Sequence, residues 1–425
     1  MSGTIALDFG HETGSVKRLL FSAPSPGKLA MTREAPVRIG LDCLGDAGFA
    51  TLRGLRVGLV THPAAVDGRL RHVRERLAEA PGVHLAALFG PEHGLMGEAQ
   101  DLIGVAGGTD TNSGLRVHSL YGDTFDSLKP SAEQLRGLDA LVVDLQDVGS
   151  RYYTFQATML FCLEAAAQQG LRVVVLDRPN PLGGDLVEGP LLRPGYESFV
   201  GIHPLVTRHG MTIGELARMY QAERGLNVDL VVIPCEGWRR DMDFEQTGLH
   251  WVLPSPNMPT LETAFVYPGQ CLLEGTNLSE GRGTTRPFEL CGAPGIDADK
   301  LCRRLQAEDW PSVRFRPAWF QPTFQKFAGQ MCAGVQLHVT DRQAFRPVRT
   351  GLAVLAALRD LSADAFAWRR EPYEFVADRP AIDLLFGSDR ERLALEAGVA
   401  VGDICRAWEA EEDTFRQRRR PYLLY

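Results

Sequence analysis

Apolar and polar positions come in alternating blocks through the first half of the chain. Residues 56–60 (Arg-Val-Gly-Leu-Val) form a short apolar run that ends in Thr61-His62-Pro63, and residues 83–89 form a second that ends in turn residues. Residues 140–145 and 172–176 are almost wholly apolar, and 227–233 repeat the type, while 116–121 are a weaker version. Such runs, bounded by turn residues, predict strands buried on both faces. Helical patterns lie between them. Residues 69–80 are charged and amphipathic. Ser131 with Gln134, and Thr212 with Glu215, have the spacing of capping boxes. Phe155, Met159, Cys162, Leu163 and Ala166 share one helical face, which Gly170 terminates. Strands alternating with helices over about 180 residues predict an α/β fold with a mostly parallel sheet.

After Pro234 the periodicity weakens. Loops rich in Pro, Gly and Asn are expected from 251 to 294. A helix is expected over 297–305, a strand over 333–339, a helix over 352–361, and a last helix ending in Arg416-Gln417-Arg418-Arg419-Arg420. The pattern predicts a flexible leader over 1–36, an α/β domain over 37–250 and a smaller α+β domain over 251–425. No internal repeats or low-complexity runs appear.

Composition narrows the function classes. The chain has 425 residues and a formal net charge of -8, with 44% hydrophobic and 23% charged residues. That acidic balance argues against a nucleic-acid partner. No stretch approaches the ~20 apolar residues of a membrane span, so no membrane insertion is expected. The first 40 residues lack the basic start and apolar core of a signal peptide, and Met31 offers a later start. The eight cysteines include no CxxC pair and sit mostly in apolar segments, as reduced core thiols do. These features point to the cytoplasm.

The polar residues that carry chemistry gather where strands end, the edge at which parallel sheets bind ligands. Glu92-His93 follow the 83–89 run inside Phe89-Gly90-Pro91-Glu92-His93-Gly94, which positions a glutamate for proton transfer or, alternatively, for capping. Asp144-Leu145-Gln146-Asp147 close the next strand; Asp144 is expected to brace the sheet edge, and Asp147 either to do chemistry or to accept backbone N–H groups. Arg151 and Tyr153 precede a helix start, which favours an anion, although Tyr153 also fits a rim aromatic. Asn180 lies in Asp177-Arg178-Pro179-Asn180-Pro181, after another strand. Arg208-His209 precede the capped helix and fit a structural role more readily than a functional one. Glu274, Asn277, Glu280 and Arg282 share a glycine-rich loop, and Asn257 sits in the proline-stiffened Pro254-Ser255-Pro256-Asn257-Met258-Pro259. No GxGxxG, GxxxxGK[ST], HExxH or GxSxG motif is present, and the histidines have no metal-ligand spacing. No cofactor and no metal are expected.

Six motifs in order carry a family likeness: Leu88 to Gly94, Asp144 to Gly149, Asp177 to Gly184, Arg208 to Leu216, Pro254 to Glu262 and Glu274 to Thr285. The chain, from about Val37 to Tyr425, closely resembles the NamZ-type exo-β-N-acetylmuramidases, a family long catalogued as a domain of unknown function. The resemblance implies a Rossmann-like N-terminal domain, a smaller C-terminal domain and an active site in the cleft between them. It implies release of N-acetylmuramic acid from the non-reducing end of peptidoglycan fragments, with Glu92 matching the favoured catalytic glutamate. Many family members carry an export signal, which this sequence departs from.

The expected mechanism has Glu92 as general acid, with His93, Asp147 and Glu280 tuning or complementing it. Tyr153, Asn180, His209, Asn257, Glu274 and Asn277 are expected to bind substrate. Arg151, Arg208 or Arg282 is expected to pair with the lactyl carboxylate of muramic acid. The spacing leaves retaining, inverting and substrate-assisted routes open. The rivals are a muropeptide- or sugar-binding protein with a degenerate site, and a nucleotide-dependent α/β enzyme, which the absent phosphate loop disfavours.

Overall fold

The computed structural model describes residues 36–100, 103–362 and 365–425. The expected leader, apart from Pro36, lies outside the described residues. The apolar runs become strands: β1 (Arg56–Thr61), β2 (His84–Gly90), β3 (Gly108–Thr109), β4 (Arg116–Ser119), β5 (Ala140–Asp144) and β6 (Arg172–Leu176). After a small antiparallel pair, β7 (Glu188–Leu191) and β8 (Val206–Arg208), comes β9 (Asp229–Ile233). The seven-stranded sheet runs β3-β4-β2-β1-β5-β6-β9, antiparallel only between β3 and β4. Counted along the chain, its six parallel strands lie in the doubly wound order 3-2-1-4-5-6. The order reverses between β1 and β5, so a crevice is expected outside their carboxyl ends.

Burial follows the apolar runs. Every residue of β5 is buried, and the helix Phe155–Gln169 is buried nearly all round. A helix hydrophobic on most sides is enclosed, not laid on a surface. Both expected capping boxes form, at Ser131 with Gln134 and at Thr212 with Glu215. The charged helix expected over 69–80 is shorter, Val73–Ala78, because the His72 side chain caps its start.

The second half is more regular than its sequence suggests. Residues 251–294, expected as loops, contain the helix Leu261–Gln270 and the strand β10 (Leu290–Ala293). Pro268 and Gly269 look like breakers, but both lie in the helix's last turn. A Cβ on Gly269 would overlap the Pro347 carbonyl, and one on Gly351 would overlap Gly269. The glycines therefore let Leu261–Gln270 cross the helix Pro347–Ser362 backbone against backbone. The strand β11 (Val313–Phe320) was hidden by Pro317, although it alternates buried and exposed positions. It pairs antiparallel with β12 (Cys332–Val339), close to the expected 333–339, to complete the sheet β10-β12-β11. One apolar cluster runs through both halves, from Val60 and Phe89 to Val354 and Phe415.

Candidate active site

Four strand exits meet at the carboxyl edge, and three serve mainly to brace it. His62, after β1, accepts from the Gln146 N–H at 2.9 Å through Nε2, which leaves Nδ1 to donate to the Pro254 carbonyl at 3.2 Å. Burial, helped by the Arg178 charge, holds this ring well below the usual histidine range, so it is neutral. It ties the β1 and β5 exits to the loop that carries Asn257. Asp144, fully buried, takes a two-pronged ion pair from Arg178 at 2.5 and 3.0 Å, as its bracing role requires. Asp177 accepts from Thr212, from the Gly214 N–H and from the Tyr425 hydroxyl at 2.7–2.8 Å; burial pushes its carboxyl up to about 6.

The exit of β2 is different. A side chain on Gly90 would collide with the Leu95 backbone, 2.6 Å from its Cβ, so the chain turns tightly after the strand. His93 takes a left-handed conformation, φ 72°, as the turn completes. The result is Glu92 beneath the surface, 5% exposed, with Oε2 accepting from the Thr154 hydroxyl at 2.6 Å. Thr154 precedes the helix Phe155–Gln169, whose N-terminal end favours negative charge. His93 Nδ1 lies 2.9 Å from the Ala99 carbonyl and donates to it.

Glu92 and His93 line a small cavity, about 40 Å³, with Tyr153, Thr154, Ser255 and Asn257. Burial above all, with charge from Asp147 and Glu92, pushes the Tyr153 phenol up, so it remains a proton donor. Glu274, Arg282, Tyr373 and Glu374 complete the cavity wall. Burial acts to raise the Glu274 carboxyl, but Arg282 at 2.6 Å and the Tyr373 hydroxyl at 2.7 Å hold it below the usual carboxylate range. Glu274 is therefore an anion inside the cavity.

Other expected site residues stand away from this wall. Asp147 accepts from the Gly149 N–H at 2.6 Å, and His209 Nε2 lies 3.5 Å from the same oxygen. His209 Nδ1 accepts from the Met211 N–H at 3.1 Å, which places its proton on Nε2, toward Asp147. Asn180 braces this turn, donating to the Met211 carbonyl and accepting from the Leu182 N–H, both at 3.0 Å. Arg151 donates to the carbonyls of Pro190, Leu205 and Leu385, and Arg208 to those of Phe345 and Leu182. Neither lines the cavity; both are internal struts. Glu280 is salt-bridged to Lys326 at 2.8 Å and lies 3.7 Å from Arg282, on the outer side of Glu274. Asn277 is exposed and brackets residues 365–367 through 2.7 and 2.9 Å hydrogen bonds.

Glu374 and its neighbour Tyr373 line the cavity from outside every motif. Glu374, 5% exposed, accepts from the Tyr121 hydroxyl at 3.1 Å. It and Phe375 take φ values of 45° and 67° in a tight turn closed by Tyr373 and Val376. Two left-handed non-glycine residues in succession cost about 1–3 kcal/mol each, and such strain clusters at functional sites. Ser255 also lines the cavity, from the proline-stiffened segment that carries Asn257. Among the described residues, no group of three or more His, Cys, Asp or Glu side chains is arranged to hold a metal ion.

A doubly wound α/β chain that closes its second half over a buried, carboxyl-lined cavity has the architecture of an enzyme for a small polar substrate. The chain belongs to the NamZ exo-β-N-acetylmuramidase family, whose N-terminal model matches residues 57–262 and whose C-terminal model matches 265–425. It is 45% identical over 405 residues, 95% of both chains, to the peptidoglycan β-N-acetylmuramidase NamZ of Bacillus subtilis (strain 168). Two crystal structures of DUF1343 family proteins from Bacteroides fragilis NCTC 9343 share the fold. One is 34% identical with a TM-score of 0.83, covering 92% of this chain and 100% of that one. The other is 30% identical with a TM-score of 0.69, covering 92% and 99%.

Proposed function

We propose that this protein is a glycosidase that releases N-acetylmuramic acid from the non-reducing end of peptidoglycan fragments. The observation that carries the reading is Glu92, a buried carboxyl held by Thr154 in a cavity that also contains an arginine and two further carboxyls. With Oε2 engaged by Thr154, Glu92 delivers its proton to the glycosidic oxygen from Oε1. As that bond breaks, positive charge grows on the sugar ring, and the Glu274 anion stabilises it across the cavity. Glu374 is the second catalytic carboxyl, and its strained turn holds it in place. Arg282 meets the lactyl carboxylate, while Tyr153 and Asn257 offer hydrogen bonds to the sugar. Asp147 and Glu280 act at one remove, the first through His209 and the Tyr153 wall, the second through Arg282.

All eight cysteines are free thiols, in keeping with a reducing compartment, and the cytoplasm is the proposed site of action. Among the described residues, no helix is long and apolar enough to cross a membrane.

Glu92→Gln keeps an acceptor for Thr154 and removes the proton. On a chromogenic muramic-acid glycoside it should lower kcat at least about 100-fold with an unchanged melting temperature, and Glu374→Gln should do the same. Near-normal turnover by Glu92→Gln would reject the assignment.

A further inference from the structure

Outside the catalytic cavity runs a second, larger and more open groove of about 840 Å³, walled by Phe324, Phe327, Trp368 and Ile103. Three contacts join the two spaces. Glu274 lines both. Asn257 of the cavity donates to Gln100 of the groove at 2.7 Å. Arg369 of the groove lies 5.1 Å over the ring of Tyr373, a cavity residue. The groove is therefore the continuation of the cavity, on the side where Glu280 and Lys326 sit.

The aromatic wall is built, not incidental. Phe324 and Phe327 belong to a loop in which Gln325 and Phe327 hold φ values of 59° and 58°. Such backbone persists only where its surroundings over-determine it, and here they do. Lys326, between the two strained residues, points inward and donates to the Leu273 and Leu278 carbonyls and to Glu280, at 2.8–2.9 Å. The Thr323 N–H is tied to the Gly283 carbonyl at 2.9 Å, and Gly329 to Pro322 at 2.8 Å. The lysine that roots the loop is thus bonded to the segment that carries Glu274, Glu280 and Arg282. On the opposite side the Trp368 indole is fixed by its Nε1 donating to Glu396 at 2.8 Å. Half-buried rings held at fixed orientation, with polar groups at the margin, suit the flat apolar face of a pyranose.

We propose that this groove binds the leaving side of the substrate, the N-acetylated sugars that follow the cleaved bond, with ring faces stacked on Phe327 and Trp368. The proposal rests on the glycosidase reading of the inner cavity. The inner, carboxyl-lined cavity takes the terminal sugar, and the more open groove takes the chain that remains. The enzyme then works better on a glycan than on a small glycoside whose aglycone is too short to reach the aromatic wall.

The test compares kcat/KM for a muramic-acid-terminated tetrasaccharide with that for a chromogenic muramic-acid glycoside, in the full-length protein. The wild type should favour the tetrasaccharide, and Phe327→Ala, Phe324→Ala and the milder Trp368→Phe should each shrink that preference, by roughly tenfold for Phe327→Ala. Because the readout is a ratio within one variant, partial loss of folded protein cancels. A wild type with no preference, or variants whose ratio stays within about twofold of the parent, would overturn the groove assignment while leaving the cavity reading intact. A wild type that releases muramic acid from neither substrate would overturn both.

Discussion

Arg151, Arg208 and Arg282 are all nearly excluded from solvent, yet they use their donors differently. The first two give theirs to backbone carbonyls, and burial lowers both to about 10. Arg282 instead gives its donors to carboxyls and faces the cavity. Balanced by Glu274, near Glu280 and stacked 5.0 Å over the Phe288 ring, its guanidinium is the cation of the cavity wall that a planar carboxylate would meet. Arg282→Gln should raise KM for the muramic-acid glycoside about tenfold or more and erase its preference over the N-acetylglucosamine counterpart. Arg151→Gln should leave that preference alone and cost about 3 kcal/mol or more of stability, because buried carbonyls lose their donor. Steady-state kinetics on the two glycosides, with a melting curve for each variant, separate the roles. This distinction was not legible in the sequence, where Arg151 and Arg208 precede helices and Arg282 sits in a glycine-rich loop, each simply an available cation. Glu92 was legible, because Gly90 and Gly94 mark a tight turn at a strand exit. Glu374 was not. Its turn uses no glycine, and the pocket it faces is assembled from segments more than 200 residues apart.

At the scale of elements, the parallel sheet could be read directly, because strands buried on both faces are continuous apolar runs. The second half could not. Pro268, Gly269 and Pro317 look like breakers, but their effect is set by the partner: a crossing helix in one case, an edge position in a three-stranded sheet in the other. Contacts between elements also set charge. Glu188, in β7, accepts from the Arg349 N–H at 2.8 Å in the first turn of Pro347–Ser362, while its other oxygen is buried without a hydrogen bond. Burial, against a lowering influence from Arg349 and Arg208, pushes this carboxyl up to about 7. The folded state therefore holds the proton more tightly than the unfolded state does. Below the ordinary carboxylate range the group is neutral in both states and its stabilising contribution is complete. That contribution is lost as pH rises through about 7, where the buried charge appears. Glu188→Gln should then melt roughly 2 °C above the parent at pH 8 and together with it at pH 4. A calorimetric pH series would expose the opposite order if the ionised form were favoured.

Across the whole molecule, the sheet of the first half and the sheet of the second are joined by bonds that neither half satisfies alone. Arg151 reaches Leu385, Arg208 reaches Phe345, and the Tyr121 hydroxyl reaches Glu374. The C-terminal segment returns to the first sheet. Arg419 donates to the Gly184 and His209 carbonyls at 2.9 Å, and Tyr425 closes on Asp177 at 2.7 Å. These contacts hold the turn that carries His209 and, behind it, Asp147. We propose that the division into 37–250 and 251–425 is one of sheets alone, and that the two parts unfold together. Calorimetry of the full chain should show a single transition with calorimetric and van't Hoff enthalpies in agreement. Deleting residues 419–425 should lower that one transition as a whole, with activity lost at the same temperature. Two resolved transitions, or a stable folded fragment of residues 265–425, would mean that the buried arginines only decorate an interface between independent domains. The closure of the cavity would then be set by domain motion, not by the core.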